Sequence, residues 1–210
     1  MSRIIVTGAY GFIGSNLVKE LNRRGYTDLI LVDDLTQGSK YTNLLGAKFS
    51  RYYDVDDFFT EFNDWSELSA IYHQGAITNT LETNGKLVMD RNYRFSLKLL
   101  DAASQWRVPI SYASSASVYG NQTDGSLNPL NLYAYSKMLI DDVVDRSHTK
   151  FRLVQGWRYF NVYGHGEDHK GNMRSPISKF RDQIYERGYC EIFEGSDQCC
   201  RDFICVDDVV

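Results

Sequence analysis

Short runs of aliphatic and β-branched residues alternate along the chain with longer stretches whose apolar positions recur every three or four residues. That alternation predicts βαβ units and a parallel sheet covered on both faces. Arg3-Ile4-Ile5-Val6-Thr7 predicts a first strand over 3–7, followed by a helix over 12–24. On that helix Phe12, Ile13, Leu17, Val18 and Leu21 share one stripe. Leu29-Ile30-Leu31-Val32 predicts a second strand ending on Asp33 and Asp34. Further strands are expected at 48–53, 70–73, 110–114 (opened by Pro109) and 151–158. Helices are expected over 85–106, from about Tyr133, and near 176–187. Past about Tyr163 glycine, histidine and aspartate crowd together, and no internal repeat or low-complexity linker is visible. The expected fold class is α/β, a doubly wound parallel sheet of the Rossmann kind.

Composition narrows the partners. The 210 residues suffice for one well-filled core and are too few for two full domains. Hydrophobic content of 43% and charged content of 24% are ordinary for a globular chain. The net charge of −4 supplies no basic field, so no nucleic-acid partner is expected. No apolar run approaches the roughly 18 residues of a membrane span. The chain enters its first strand at once, so no signal peptide is expected. Cys190, Cys199, Cys200 and Cys205 fit neither a zinc knuckle nor a Cys-x-x-Cys pair. They read as ordinary thiols in a reducing cytoplasm, with no metal site expected.

Val6-Thr7-Gly8-Ala9-Tyr10-Gly11-Phe12-Ile13-Gly14 sets three glycines at three-residue spacing between a strand and a helix. One glycine allows positive φ, another lets backbone amides approach a pyrophosphate, and the last permits close helix–strand packing. Asp33 stands 19 residues after Gly14, at the end of the second strand. Together these predict a dinucleotide site across the carboxyl ends of the first and fourth strands. The expected division is a nucleotide-binding portion over 1–163 and the beginning of a substrate-binding portion over 164–210. An acid at Asp33 normally accepts the ribose 2′-OH of NAD and repels a 2′-phosphate. Lys40, seven residues on, can neutralise such a phosphate or be a solvated loop cation, so spacing leaves NAD and NADP both open.

Tyr133-Ala134-Tyr135-Ser136-Lys137 holds Tyr-x-x-x-Lys at the start of a predicted helix, an i, i+4 spacing that shares one face. An ammonium there is expected to lower the Tyr133 phenol pKa toward the range of a general base. Tyr135 is a decoy, because its i+4 residue is Leu139. Upstream, Tyr112-Ala113-Ser114-Ser115-Ala116-Ser117 places hydroxyls at the carboxyl end of the fifth strand, where Ser115 can bond an alcohol under oxidation.

In this order and context the motifs resemble the extended short-chain dehydrogenase/reductases, and within them the ADP-L-glycero-D-manno-heptose 6-epimerase family. The residues that carry the resemblance include Val32-Asp33-Asp34-Leu35 with Gly38-x-Lys40, and His73-x-Gly75-Ala76. Gly85-Lys86, Met89-Asp90-x-Asn92-Tyr93, and Arg158-Tyr159-Phe160-Asn161-Val162-Tyr163-Gly164 extend it. His169-Lys170-Gly171-x-Met173 and Phe193-Glu194-Gly195-Ser196 leading to Arg201-Asp202-Phe203 complete it. His169-Lys170-Gly171 discriminates most against generic 4-epimerases.

The resemblance implies NADP, with NAD as the alternative. The cofactor would be held by Gly8, Gly11, Phe12, Ile13, Gly14, Asp33, Asp34, Lys40, Gln74, Gly75, Ala76, Ile77, Thr78, Asn92, Tyr133, Lys137, Val162 and Lys170. It implies an ADP-sugar touched by Ser115, Asn161, Asn172, Lys179, Phe193, Glu194, Gly195, Ser196 and Arg201. The implied reaction epimerises C6 of the heptose, a lipopolysaccharide-core precursor, through a 6-keto intermediate. Tyr133, Lys137 and Ser115 would serve the first proton transfer, and Lys170 would serve as a second acid/base group. A homo-oligomer is expected.

Several positions depart from the family pattern. Gln74 replaces an acid, Val55 a lysine, Asn172 a serine and Lys179 a histidine, and the stretch between Tyr119 and Tyr133 is short. Family members run on past the position of Val210, so a truncated form is expected, with nicotinamide binding kept, turnover weakened and self-association favoured. The rival readings are a UDP-hexose 4-epimerase with bound NAD and a non-catalytic NADP-binding homologue. A 4,6-dehydratase is disfavoured by Ser115-Ala116, where those enzymes carry Thr followed by an acid.

Overall fold

The computed structural model describes residues 2–192, 194–196 and 200–210. Six strands form one all-parallel sheet: β1 (Arg3–Thr7), β2 (Leu29–Asp33), β3 (Arg51–Asp54), β4 (Leu68–His73), β5 (Ile110–Ser115) and β6 (Val154–Tyr159). Their order is β3-β2-β1-β4-β5-β6, so the direction of winding reverses between β1 and β4. A crevice opens at the carboxyl ends of strands flanking such a reversal. A separate two-stranded parallel pair joins β7 (Asn161–Tyr163) to β8 (Phe203–Cys205).

The helices are α1 (Phe12–Arg23), α2 (Phe58–Glu61), α3 (Gly85–Val88), α4 (Phe95–Gln105), α5 (Leu132–Ser147), α6 (Pro176–Arg187) and α7 (Val206–Val209). Side chains alternate across the strands, which splits the core in two. Ile5, Ile30, Val32, Ile71 and Ile110 pack with Leu99 and Leu100 of α4 and with Ile140 and Val144 of α5. Ile4, Val6, Leu29 and Leu31 face the other way, onto Leu17, Val18 and Leu21 of α1. The predicted α1 stripe is therefore its buried face, apart from Ile13, which turns toward the cleft described below.

Several boundaries move. The third strand begins at Arg51 rather than 48, because both the amide and the hydroxyl of Ser50 donate to the Leu29 carbonyl. The sixth begins at Val154, since a 3₁₀ turn over His148–Lys150 carries the chain past Phe151. The long helix is not uniform: Met89–Arg94 between α3 and α4 is π-helical. Such bulges cluster at functional sites.

Candidate active site

The crevice at the β1/β4 reversal is a cleft of about 440 Å³. Among its walls are Gly8, Gly11, Phe12, Ile13, Gly14, Asp33, Asp34, Lys40, Gln74, Gly75, Ala76, Ile77, Thr78 and Lys170. One end of it depends on two glycines that admit no side chain. A Cβ on Gly8, which sits at φ +64°, would lie 2.6 Å from the Gly75 Cα, and one on Gly14 would lie 2.0 Å from the Gly8 carbonyl oxygen. Gly11 is the N-cap of α1, so the positive end of the helix faces the cleft. An extended dinucleotide diphosphate fits this cradle.

Asp33 is buried, and both its oxygens are engaged. Oδ2 accepts the Tyr10 amide at 2.7 Å, while Oδ1 accepts the Asp34 amide at 2.8 Å and the Lys40 ammonium at 2.5 Å. Lys40 also donates to the Asp34 carbonyl at 2.8 Å. The 3₁₀ segment Asp168–Met173 closes over this end. Gln37 donates to the His169 carbonyl at 2.7 Å, and Asn43 meets the His169 Nδ1 at 3.1 Å. Lys170 puts its ammonium 5.5 Å from the Phe12 ring centre, and burial pulls its pKa down against the opposing influence of Glu167.

Two buried polar residues set the loop after β4. His73 sits between the hydroxyls of Thr7 (2.6 Å) and Ser96 (2.7 Å), and Thr7 also receives the Gly75 amide at 3.1 Å. Burial chiefly, with the Lys137 charge second, holds the imidazole neutral, its pKa lowered to about 3. Asn92, in the π-helical turn, accepts from the Ile77 amide and donates to the Ile77 carbonyl and to Ser136 on α5. It shapes the cleft wall without lining it.

The tyrosine–lysine pair lies at the start of α5, whose N-cap Asn131 accepts the Ala134 amide at 2.9 Å. Lys137 is buried, donates to the Ala113 carbonyl at 2.6 Å, and stands 5.9 Å from the Tyr133 ring centre. The expected lowering of the Tyr133 pKa is corrected: burial raises it, and hydrogen bonding from Ser115 opposes that rise in part. One of the three N–H groups of the Lys137 ammonium goes to the Ala113 carbonyl. Burial lowers the Lys137 pKa itself to about 8, with Asp141 acting the other way.

A second cavity of about 790 Å³ lies beyond the end of β5, bounded by Ser115, Tyr119, Tyr159, Asn161 and Arg201 among others. Three of the expected substrate residues, Ser115, Asn161 and Arg201, meet there. The others do not: Asn172 is exposed in the 168–173 segment, Lys179 lies on α6, and Glu194, Gly195 and Ser196 stand outside this cavity. Val162 belongs to β7 and lines neither cavity. Phe193 and Cys199 fall outside the described residues. Residues not anticipated in the cofactor cleft include Thr7, Gln37, Arg91 and His169. Arg91 stands at the unspecified position of Met89-Asp90-x-Asn92, so adjacency was its only signal, whereas His169 belongs to the His169-Lys170-Gly171 motif but was not assigned to the cofactor.

Among the described residues no helix is long and apolar enough to cross a membrane. The chain is 45% identical to the ADP-L-glycero-D-manno-heptose-6-epimerase of Pseudomonas aeruginosa, over 98% of its own length and 66% of that protein's. It thus spans slightly under two thirds of this curated relative. The crystal structure of the Helicobacter pylori ADP-L-glycero-D-manno-heptose-6-epimerase superposes with a TM-score of 0.87 at 29% identity, covering 99% of this chain and 70% of that one. A UDP-N-acetylglucosamine 4-epimerase from Methanobrevibacter ruminantium shares the fold, with a TM-score of 0.82 at 24% identity over 99% and 70% of the two chains. The profile of the NAD dependent epimerase/dehydratase family matches residues 4–210, nearly the whole sequence, and the chain belongs to that family.

Proposed function

We propose that this chain carries the nicotinamide-binding and catalytic part of an ADP-L-glycero-D-manno-heptose 6-epimerase working with NADP. The observation that carries the proposal is the meeting of Tyr133, Ser115 and Lys137 where α5 begins and β5 ends. The 45% identity to the Pseudomonas heptose epimerase supports this choice of substrate.

In the proposed reaction Ser115 bonds the C6 hydroxyl and Tyr133 takes its proton, a transfer that needs the phenol to ionise. Burial opposes that ionisation, so the neighbouring hydroxyl and cation have to offset it. When bound, a nicotinamide would supply the redox chemistry, as hydride acceptor and then as hydride donor for the return to C6, and the glycine cradle with Lys40 would hold it. The return needs a proton donor on a second side. Lys170 is proposed for it: it lines the cofactor cleft, and burial lowers its pKa, which makes its ammonium a stronger acid. The substrate nucleotide is assigned to the cavity bounded by Asn161 and Arg201.

The choice of NADP is supported by the state of Asp33. With three donors already on its carboxylate, it has little left for a ribose hydroxyl. Lys40 has three N–H groups and uses two of them, leaving one for a 2′-phosphate. A cytoplasmic setting is supported by the free thiols at Cys190, Cys200 and Cys205.

Turnover of ADP-heptose, UDP-glucose and UDP-galactose tests the reading. Inversion at C6 of the ADP-sugar is expected. Inversion at C4 of the UDP-hexoses would put a 4-epimerase in its place. Nicotinamide binding without turnover of any of them would favour a non-catalytic homologue.

A further inference from the structure

Asp141 follows Lys137 by one turn of α5, on the same face, and the proposed chemistry makes no use of it. Its carboxylate is largely buried and takes three donors from two strands. Tyr112 donates to Oδ1 at 3.0 Å, Ser114 to Oδ2 at 2.9 Å, and Arg158 of β6 to Oδ2 at 2.8 Å. Tyr112 and Ser114 are two apart on β5 and so face the same way, while the carbonyl of Ala113 between them receives Lys137. Helix α5 therefore grips three consecutive residues of β5, and Ser115 is the next.

The arrangement has a built-in requirement on β6. Gly156 pairs with Tyr112, and a Cβ there would lie 2.4 Å from the Tyr112 hydroxyl. Glycine lets the phenol cross the neighbouring strand to reach Asp141. Arg158 is fixed in turn: it donates to the Tyr119 hydroxyl at 2.9 Å and stacks 5.1 Å from that ring's centre.

Charge points the same way. Lys137 is buried and hydrogen-bonded to a neutral carbonyl. The titratable groups facing it are Tyr133 and Asp141 on its own helix and His73 on β4, with Arg158 reaching it through Asp141. His73 is neutral, so Asp141, ion-paired with Arg158 one helical turn from Lys137, is the acid whose charge acts on that ammonium. We infer that Asp141 is a positioning residue for the Tyr133–Lys137 pair: it clamps the serine-bearing end of β5 against α5 and keeps Lys137 charged. The inference rests on the acid–base reading given above for those two residues.

The test follows the ionisation of Lys137 by ¹³Cε NMR in lysine-labelled protein, with the resonance assigned by its loss in Lys137→Met. The midpoint is expected near 8 in the parent chain. Asp141→Asn should lower it by about one pH unit or more, and Asp141→Glu, which keeps the charge, should restore most of that loss. Arg158→Met should move it the opposite way, because the carboxylate then acts unscreened. In protein that turns over, the alkaline limb of kcat should move with the midpoint, which a purely structural role would leave in place. An unchanged midpoint in Asp141→Asn overturns the inference; should that variant not fold, the absence of a rise in Arg158→Met does so. Normal turnover in Tyr133→Phe would sink the acid–base reading instead, with the lysine midpoint still responding to Asp141.

Discussion

Replacing Tyr133 by Phe removes one oxygen and leaves the ring beside the Lys137 ammonium in place. Turnover should fall by roughly 10²-fold or more, the range for a positioned acid/base, while nicotinamide affinity stays near the parent value. Near-parental kcat would refute the assignment. Lys40→Ala probes the other end of the cleft. If its spare N–H meets a 2′-phosphate, the loss of a charge-assisted contact worth about 1.5–3 kcal/mol should weaken NADP by roughly ten- to hundredfold. NAD should change much less, and calorimetric titration with both decides it. Equal losses would make Lys40 only the partner of Asp33. At this scale spacing placed Tyr133 beside Lys137 and the glycines at a strand–helix turn, because each belongs to a short motif with one geometric meaning. It misjudged the direction of the Tyr133 pKa, since burial is set by strands and helices remote in sequence. It also passed over Asp141, although the i, i+4 step from Lys137 was there to be seen.

The elements behind the site explain which parts of the pattern were legible. Strands buried on both faces, such as Leu29–Asp33, announce themselves as unbroken apolar runs. The π-helical turn at Met89–Arg94 has no such signature, because one extra residue per turn leaves the apolar spacing of the surrounding helix almost unchanged. That turn carries Asn92 to the loop after β4, and β4 carries His73. The histidine links β1, through Thr7, to α4, through Ser96. Held neutral with a pKa near 3, against about 6.5 when exposed, it makes the folded chain bind fewer protons than the unfolded chain between those values. Its contribution is thus intact above pH 6.5 and is lost as pH falls toward 3, at up to about 1.4 kcal/mol per unit. For a chain of this size that is roughly 3–6 °C in Tm per pH unit. His73→Gln should show a shallower decline of Tm between pH 6.5 and 4, and parallel curves for parent and variant would exclude His73 as the cause. Asn131→Ala, which removes the N-cap ahead of Tyr133, should cost about 1 kcal/mol and lower kcat as the first turn of α5 frays. A lowered Tm with unchanged kcat would mean that Tyr133 is positioned by its packing alone.

Across the whole molecule the cofactor cleft gathers the ends of β1, β2 and β4, the first turn of α1, Leu87 and Arg91 from the helical stretch before α4, and the 168–173 segment. Away from the cleft, large exposed apolar side chains include Ile184 and Tyr185 on α6 and Trp157 on β6. Nicotinamide binding should therefore be a property of this chain alone, whether or not anything covers those faces. A ligand that binds only the folded state at 100 times its Kd contributes about 2.7 kcal/mol. Saturating NADP should accordingly raise Tm by roughly 5–11 °C, and by more than NAD does at equal concentration. Because the 168–173 segment is tied to the β2 side through Gln37 and Asn43, protection against amide exchange should spread from Gly8–Gly14 to His169 and Lys170. A rise in Tm with protection confined to Gly8–Gly14 would place the cofactor on the glycine cradle but separate Lys170 from it, and the role proposed for that lysine would go with it.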